Sequence, residues 1–356
     1  MMAEAAHELG IRMAVLDSMG IASPAGQVAE LSVEGSLQEE DKIRELASIS
    51  DVLTIEIEHV NADALAAMEQ EGHTVHPNSA TIRLIQDKYL QKQHFSAHAV
   101  PLPEFLDIPT VHAARDAGAR FGYPYMLKNK KFAYDGKGNA VVHSEADIMP
   151  AIERLTGSSS SGKSSSTRGK DPLIGGELYA EKWVPFTKEL AVMVARTATG
   201  VVSYPVVETI QQDSICHIVI APARISPAAQ KNASAIVEAA IETLPGLGIY
   251  GVELFLLPDD SILLNEVAPR PHNSGHYTME ACDISQFQMH LRAVLGLPCP
   301  KPSMKVGCAI MVNVLGAATM KATKVGDCLR CLQTYLLLSS FYTLLPFTYK
   351  QNLVSI

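Results

Sequence analysis

Apolar residues recur along this chain at two periods, and the alternation between them sets out its elements. The runs IRMAVLD (11–17) and DVLTIEI (51–57) predict short buried strands with helical patterns between them, the rhythm of an α/β domain. An open α/β domain normally begins with a strand and a phosphate-cradling glycine turn, but this chain starts in a helical pattern, MAEAAHELG (2–10). Residues 78–98 predict one helix, and AVPLPEF (99–105) predicts a linker into a second unit. There YMLKNK, NAVVH, LYAEKW, ELAVMVART and VVSYPVVET predict strands, with HSEADIMPAIERL (143–155) an interposed helix. GVELFLLPDDSILLNEVAPR (251–270) reads as two strand-like runs joined by the turn residues Pro258 to Ser261, hence a hairpin. The Ser, Gly and Lys content of 157–171 cannot build a core and predicts a flexible surface loop. No internal repeat is visible.

Composition narrows the function classes. At 356 residues the chain is long for one core and predicts two or three subdomains. Its net charge of -9 leaves no global basic surface for nucleic acid, so an anionic substrate must be held by local cations. The first residues carry no secretory pattern. Six scattered cysteines predict reduced thiols and a cytoplasmic setting, and Cys328-x-x-Cys331 lacks the partners of a zinc site. The apolar stretch 335–347 is shorter than the ~20 residues a membrane helix needs, so no membrane association is expected.

Three clusters carry chemistry. In the hairpin, antiparallel pairing can set Glu253 beside Glu266, and adjacent carboxylates repel unless a cation lies between them. Hard oxygen ligands suit Mg²⁺ on nucleotide phosphates, with Asn265 as a further oxygen; the alternative is an edge strand facing solvent. The apolar residues flanking both glutamates favour the metal. Lys128 precedes FAYDGKGN (132–139), whose glycines let backbone amides approach phosphate, although D-G-K-G also makes a good hairpin turn. In ELYAEKWVPFTKEL (177–190), the strand could read an adenine through its backbone while a carboxylate takes ribose hydroxyls, or it could be an ordinary surface strand.

The ordered set DVLTIEIEHV, SATIRLIQDKYLQK, KNKKFAYDGKGNAVV, LYAEKWVPFTKELAVMVAR, SYPVVETIQQD, APAR, GVELF and LLNEVAPRPHNSGHYT resembles the ATP-grasp domain of fungal phosphoribosylaminoimidazole carboxylase, over roughly residues 1 to 325. That domain acts as N5-carboxyaminoimidazole ribonucleotide synthase in purine biosynthesis. The resemblance implies an α/β and α+β chain, an ATP-grasp fold with an N-terminal Rossmann-like subdomain whose first strand is missing. The implied units are 1–97, 98–184 with a 157–171 insertion, 185–300, the start of a further unit at 301–330, and an aberrant tail at 331–356.

It also implies ATP and Mg²⁺ as cofactors. Arg83, Lys88, Lys128, Tyr134, Gly136, Lys137, Gly138, Glu181, Lys182, Trp183, Val184, Glu189, Gln211 and Asn265 would lie at the nucleotide, and Glu253 and Glu266 at the metal. Glu58, Tyr134 and Asp135 would surround aminoimidazole ribonucleotide, which bicarbonate carboxylates through carboxyphosphate. Asp135, Arg270, His272 and Asn273 would act in catalysis, while His276 caps a helix or satisfies the core. A homodimer is implied. Three departures stand out: the family's glycine-rich stretch before the first helix is absent, Gln211 stands where relatives often have His, and the match fades by about Cys331. They keep two other readings in view, a different ATP-grasp carboxylate-amine ligase and an inactive nucleotide-binding fragment.

Overall fold

The computed structural model describes residues 1–131, 138–157, 173–212 and 214–313. The expectations for residues 158–171, for Cys328 and Cys331, for the stretch 335–347 and for the tail 331–356 lie outside the described residues. The chain opens in a helix, as its pattern predicts: α1 (Met2–Glu8) buries Met2, Ala5 and Ala6 against Phe287 and Leu291 of α10 (Gln286–Val294).

The first unit holds two separate parallel pairs. β1 (Ala14–Asp17) pairs with β2 (Leu31–Glu34), and β3 (Val52–Thr54) pairs with β4 (Thr74–His76). Leu16, Val33, Leu53 and Val75 from all four strands share one core with Met68 of α3 (Ala62–Gln70) and Ile43 of α2 (Glu40–Ser48). The strand expected over 51–57 stops at Thr54, so Glu56 and Glu58 stand in the loop beyond it.

The single helix expected over 78–98 is two, α4 (Ser79–Gln86) and α5 (Lys88–Ala97). Asp87 leaves the helical region (φ -107, ψ 102), and its carboxylate accepts the N–H groups of Tyr89 and Leu90 at 3.1 and 3.0 Å. It thereby satisfies donors that a new helix start would otherwise leave orphaned.

A four-stranded antiparallel sheet follows, ordered β5 (Phe105–Thr110), β8 (Leu173–Lys182), β6 (Tyr125–Asn129), β7 (Asn139–Val142). Its apolar face, with Tyr125, Leu127, Val142 and Leu178, is covered by α6 (Val111–Phe121) and α7 (Ile148–Thr156). The second sheet has seven strands, in the order β14 (Ile262–Ala268), β13 (Gly248–Leu256), β9 (Lys188–Thr197), β11 (Val207–Gln212), β12 (Ile215–Ala221), β15 (Ala309–Val312), and β10 (Gly200–Ser203) also pairs with β9. The strand expected over 201–209 is broken into β10 and β11 around Pro205, which has no N–H for a ladder.

β9 explains why its sequence is an unbroken apolar run: it is buried on both faces. Leu190, Val192 and Val194 meet Val252 and Leu254 of β13 and the helix α8 (Pro227–Glu242), while Ala191, Met193 and Ala195 face Tyr277 and Met289 on the other side. Because Val252 and Leu254 point toward α8, Glu253 between them points to the opposite face. No helix among the described residues is long and apolar enough to cross a membrane.

His290 of α10 ties the first unit to the large sheet. Fully buried, it accepts the Ile249 N–H on Nδ1 at 3.1 Å, so Nε2 carries the proton and donates to Thr54 Oγ1 at 2.6 Å. Burial, and next the nearby His76, lower its pKa to about 3 from the ordinary 6.5. Between those values the unfolded chain takes up a proton that the folded chain refuses, so this group makes stability rise with pH through that window. In His290→Gln, urea unfolding between about pH 3 and 6.5 should show a slope shallower by up to about 1.4 kcal/mol per pH unit. An unaltered slope would remove His290 as the cause.

Candidate functional site

The β13–β14 hairpin brings its two glutamates together as the sequence predicts. Glu253 and Glu266 are direct cross-strand partners, and a bulge immediately after Glu253 shifts the register between it and Leu254. Both side chains remain reachable by solvent, at 30% and 38% exposure. Burial first, then the charges of Glu266 and Glu189, raise the Glu253 carboxyl to about 7. Glu266 moves the other way: burial opposes its ionisation, but Lys88, with Nζ 2.6 Å from Oε2, outweighs it and lowers the pKa. The pair therefore stands as one carboxylate and one group near half protonation. Asn265 Nδ2 approaches Glu253 Oε2 at 3.5 Å, and β9 adds Glu189, whose pKa burial also raises. Hard oxygens crowded together, with an ionisation that only a cation can relieve, fit a divalent ion such as Mg²⁺.

Facing this hairpin across the gap between the sheets is a second charged cluster. Glu181 of β8 is 3% exposed and lies between Lys92 of α5, with Nζ 2.8 Å from Oε2, and Lys128 of β6, with Nζ 3.1 Å from Oε1. Burial opposes ionisation of Glu181, yet the two lysines hold its pKa near 2. Two cations on one carboxylate leave one positive charge uncompensated within this group. Nearby on β9, Lys188 pairs with Glu208 at 2.5 Å. Just before it, Phe186 stacks on Phe255 at 4.8 Å beside the half-exposed Trp183.

The turn after β14 supplies the third group. Arg270 Nε hydrogen-bonds Glu58 in the loop after β3; burial works against ionisation of Glu58, and Arg270 overcomes it to hold the pKa at about 2. His272 sits 3.8 Å from Glu253 Oε1, and its Nδ1 is 2.8 Å from Ser274 Oγ. Burial, with Arg270 next, lowers its pKa to about 4, so it is neutral at pH 7 and its contact with Glu253 is not an ion pair. Two glycines make the turn possible. A Cβ on Gly251 would lie 2.5 Å from His272 Cβ, and one on Gly275 would lie 2.3 Å from Gln286 Oε1. Fully buried Gln286 accepts the His272 N–H and donates to the His272 carbonyl, both at 2.9 Å, and its Nε2 is 3.1 Å from His276 Nδ1. His276 also stacks on Phe287, in keeping with the core role expected for it.

The structure thus gathers Glu58, Lys88, Lys128, Glu181, Glu189, Glu253, Asn265, Glu266, Arg270 and His272 from both sheets and the first unit, with Asn273 half-buried at the start of the turn's 3-10 helix. Gln211 lies at a bulge opposite Cys216, whose thiol burial pushes up to about 12. Gly138 closes the β6–β7 turn with φ +86, and its carbonyl accepts the Asn129 N–H at 2.8 Å. Tyr134, Asp135, Gly136 and Lys137 lie outside the described residues. Three residues expected at the nucleotide are held by other side chains. Arg83, in the last turn of α4, pairs with the exposed Asp63. Lys182 reaches Glu104 at 2.6 Å, since strand alternation turns it away from Glu181. The Glu181 carboxylate is spent on two lysines, which leaves the neighbouring Trp183 and Val184 as the open part of that stretch. Sequence reasoning missed Gln91, Lys92 and Gln286; the first two carry a signal, polar residues three and four positions after Lys88 on one helix.

The chain matches two protein-family models, the ATP-grasp domain over residues 93–287 and the ribonucleotide synthetase preATP-grasp domain over residues 1–86. It is 48% identical over 324 residues to the phosphoribosylaminoimidazole carboxylase of Schizosaccharomyces pombe, covering 89% of this chain and 55% of that protein. It is 37% identical over 317 residues to the N5-carboxyaminoimidazole ribonucleotide synthase of Synechococcus elongatus, covering 89% of this chain and 75% of that protein. Among solved structures it is similar to the N5-carboxyaminoimidazole synthase of Aspergillus clavatus in complex with ADP and 5-aminoimidazole ribonucleotide, with a TM-score of 0.80 and 40% identity over 94% of this chain and 82% of that one. The chain spans little more than half the length of the first two fungal carboxylases it matches, 55% and 57%.

The raised Glu253 pKa yields a test with a definite sign. Its folded value of about 7 exceeds the ordinary 4.5, so without a cation this group favours folding at low pH and its contribution is lost as pH rises from 4.5 to 7. A divalent cation competes with that proton. Mg²⁺ should therefore raise the melting temperature more above about pH 7 than below it, and this pH dependence should vanish in Glu253→Gln. Equal Mg²⁺ shifts at both pH values in the parent would separate the carboxylate pair from cation binding.

Proposed function

Because the chain belongs to the N5-carboxyaminoimidazole ribonucleotide synthase family of ATP-grasp enzymes, we propose that it uses ATP to carboxylate the exocyclic amine of 5-aminoimidazole ribonucleotide with bicarbonate, a step of purine biosynthesis. The observation that carries the reading is the pairing of Glu253 with Glu266, set against the Lys92–Glu181–Lys128 group across the gap between two sheets. One side suits a cation and the other an anion, which is what a metal–nucleotide complex presents.

ATP lies between the sheets on this reading, its adenine beside Trp183 and Val184 and its ribose hydroxyls on Glu189. Lys88 and Lys128 reach the phosphates, where their charge disperses what develops on the transferred phosphoryl group. Glu253, Glu266 and Asn265 would hold Mg²⁺, which when bound neutralises phosphate charge and orients the terminal phosphoryl group. A bicarbonate oxygen attacks the γ-phosphorus, the bond to ADP breaks, and carboxyphosphate forms. The amine of the ribonucleotide then takes the carboxyl carbon, phosphate leaves, and the amine loses a proton. Arg270 and Asn273 orient the bicarbonate, neutral His272 is able to accept or donate a hydrogen bond at the carboxyl, and Glu58 holds Arg270 in place. Tyr134 and Asp135 complete the ribonucleotide side. The units divide after residues 97, 184 and 300, the protein acts as a homodimer, and the pathway places it in the cytoplasm.

The test is phosphate release by the purified chain with MgATP, bicarbonate and 5-aminoimidazole ribonucleotide, each omitted in turn. Release should need all three, and Glu266→Gln should lower kcat/KM by at least about a hundredfold, the scale of losing one preorganised charge contact. Hydrolysis indifferent to the ribonucleotide would favour a different ATP-grasp ligase, and failure to bind nucleotide would sink the reading altogether.

A further inference from the structure

Helix α5 presents Lys88, Gln91 and Lys92 on one face, at positions i, i+3 and i+4. All three act on β14, which ends the large sheet and has no strand on its outer edge among the described residues. Gln91 accepts the Val267 N–H at 2.9 Å and donates to the Val267 carbonyl at 3.0 Å, so one side-chain amide takes the place of a paired strand at that residue. Lys88 holds Glu266, and Lys92 donates to the Asn265 carbonyl at 3.2 Å. Three consecutive residues of the strand that carries Glu266 are therefore fixed by one helix face. Lys92 does more than grip this edge: the same ammonium lies 2.8 Å from Glu181 on β8, in the other sheet.

Packing alone does not call for this arrangement. Lys92 is 3% exposed and Gln91 2%, and a buried ammonium is costly where an apolar side chain of similar volume would serve the core as well. What a methionine could not do is hold a backbone carbonyl of one sheet and a carboxylate of the other at once. We propose that Gln91 and Lys92 are positioning residues: Gln91 sets the height of the Glu266 strand for the cation, and Lys92 fixes that strand against the adenine-side strand. The proposal rests on the nucleotide reading given above. It makes the distance between the two halves of the site a property of one helix and not of the chain connections between the sheets.

The two residues are separable by what their loss should disturb. In the full chain, ADP affinity is measured by calorimetry without Mg²⁺ and then across a Mg²⁺ titration, with melting temperature recorded for every variant. Gln91→Met should raise the Mg²⁺ concentration for half-maximal enhancement of ADP binding about tenfold, the scale on which partners behind a ligand act, while Mg²⁺-free ADP affinity stays within about twofold. Lys92→Met should weaken ADP about tenfold with and without Mg²⁺, because Glu181 is then released from one side. Lys92→Gln, which keeps a donor for the Asn265 carbonyl, serves if the methionine variant does not fold, and should show the same loss in weaker form. Folded variants whose ADP affinity and Mg²⁺ dependence both match the parent would reduce α5 to a stabilising element. A parent chain that binds no ADP would overturn the nucleotide reading and the positioning role with it.

Discussion

Two carboxylates on facing positions of paired strands cannot both be ionised without a cation, and the rest of this structure is arranged around that constraint. At an effective dielectric near 20 and a separation of a few ångströms, the repulsion is about 4 kcal/mol, a large share of the stability of an ordinary domain. The fold meets it asymmetrically: Lys88 keeps Glu266 charged, while burial and the charges of Glu266 and Glu189 lift Glu253 to about 7. Relaxing the strain by moving the two strands apart is blocked. The hairpin register fixes Glu253 opposite Glu266, Val252 and Leu254 lock β13 onto the core under α8, and α5 grips β14 from its free side.

The same logic explains how an acidic chain assembles a site for anions. The net charge of -9 excludes long-range attraction, yet Lys88, Lys92, Lys128 and Arg270 converge on four carboxylates, Glu58, Glu181, Glu253 and Glu266. Glu189 of β9 adds a fifth carboxylate, so the four cations balance the others while Glu253 holds a proton, and ionisation of Glu253 leaves an excess of negative charge. On the proposed reading, the cation that accompanies a nucleotide would take over the role of the Glu253 proton. Lys88 cannot give its whole charge to both Glu266 and a phosphate, so on the same reading a cation on Glu266 would also free Lys88 for the nucleotide.

Much of this was legible in the chain. The unbroken apolar run of β9 and the turn residues Pro258 to Ser261 determine the sheet interior and the hairpin, and the hairpin alone is enough to juxtapose Glu253 and Glu266. The opening helix was equally visible. What escaped was set by tertiary contact. Asp87 reads as one more polar residue in a helical pattern until its carboxylate caps Tyr89 and Leu90, and that break aims α5, with its three polar side chains, at β14. Arg83, one turn before the break, is left outside and pairs with Asp63. The partners of Glu181 were hidden for the same reason: the lysines that neutralise it, Lys92 and Lys128, lie 89 and 53 residues away in sequence.

Proton linkage ties the site to the stability of the whole chain, with opposite signs at different places. Glu58 and Glu181, held near 2, add stability above the ordinary carboxylate pKa of 4.5 that is lost as pH falls toward 2. His290 acts in the same direction over a higher range, from about 3 to 6.5. Glu253 opposes them, subtracting stability as pH climbs from 4.5 to 7, and Glu189, whose pKa burial raises, acts with it. Without a cation these contributions compete on the approach to neutrality. On the proposed reading, a divalent ion at the carboxylate pair would remove the Glu253 contribution, which falls as pH rises. The event that completes the site would then favour the pH range at which Glu253 is ionised and able to hold the ion.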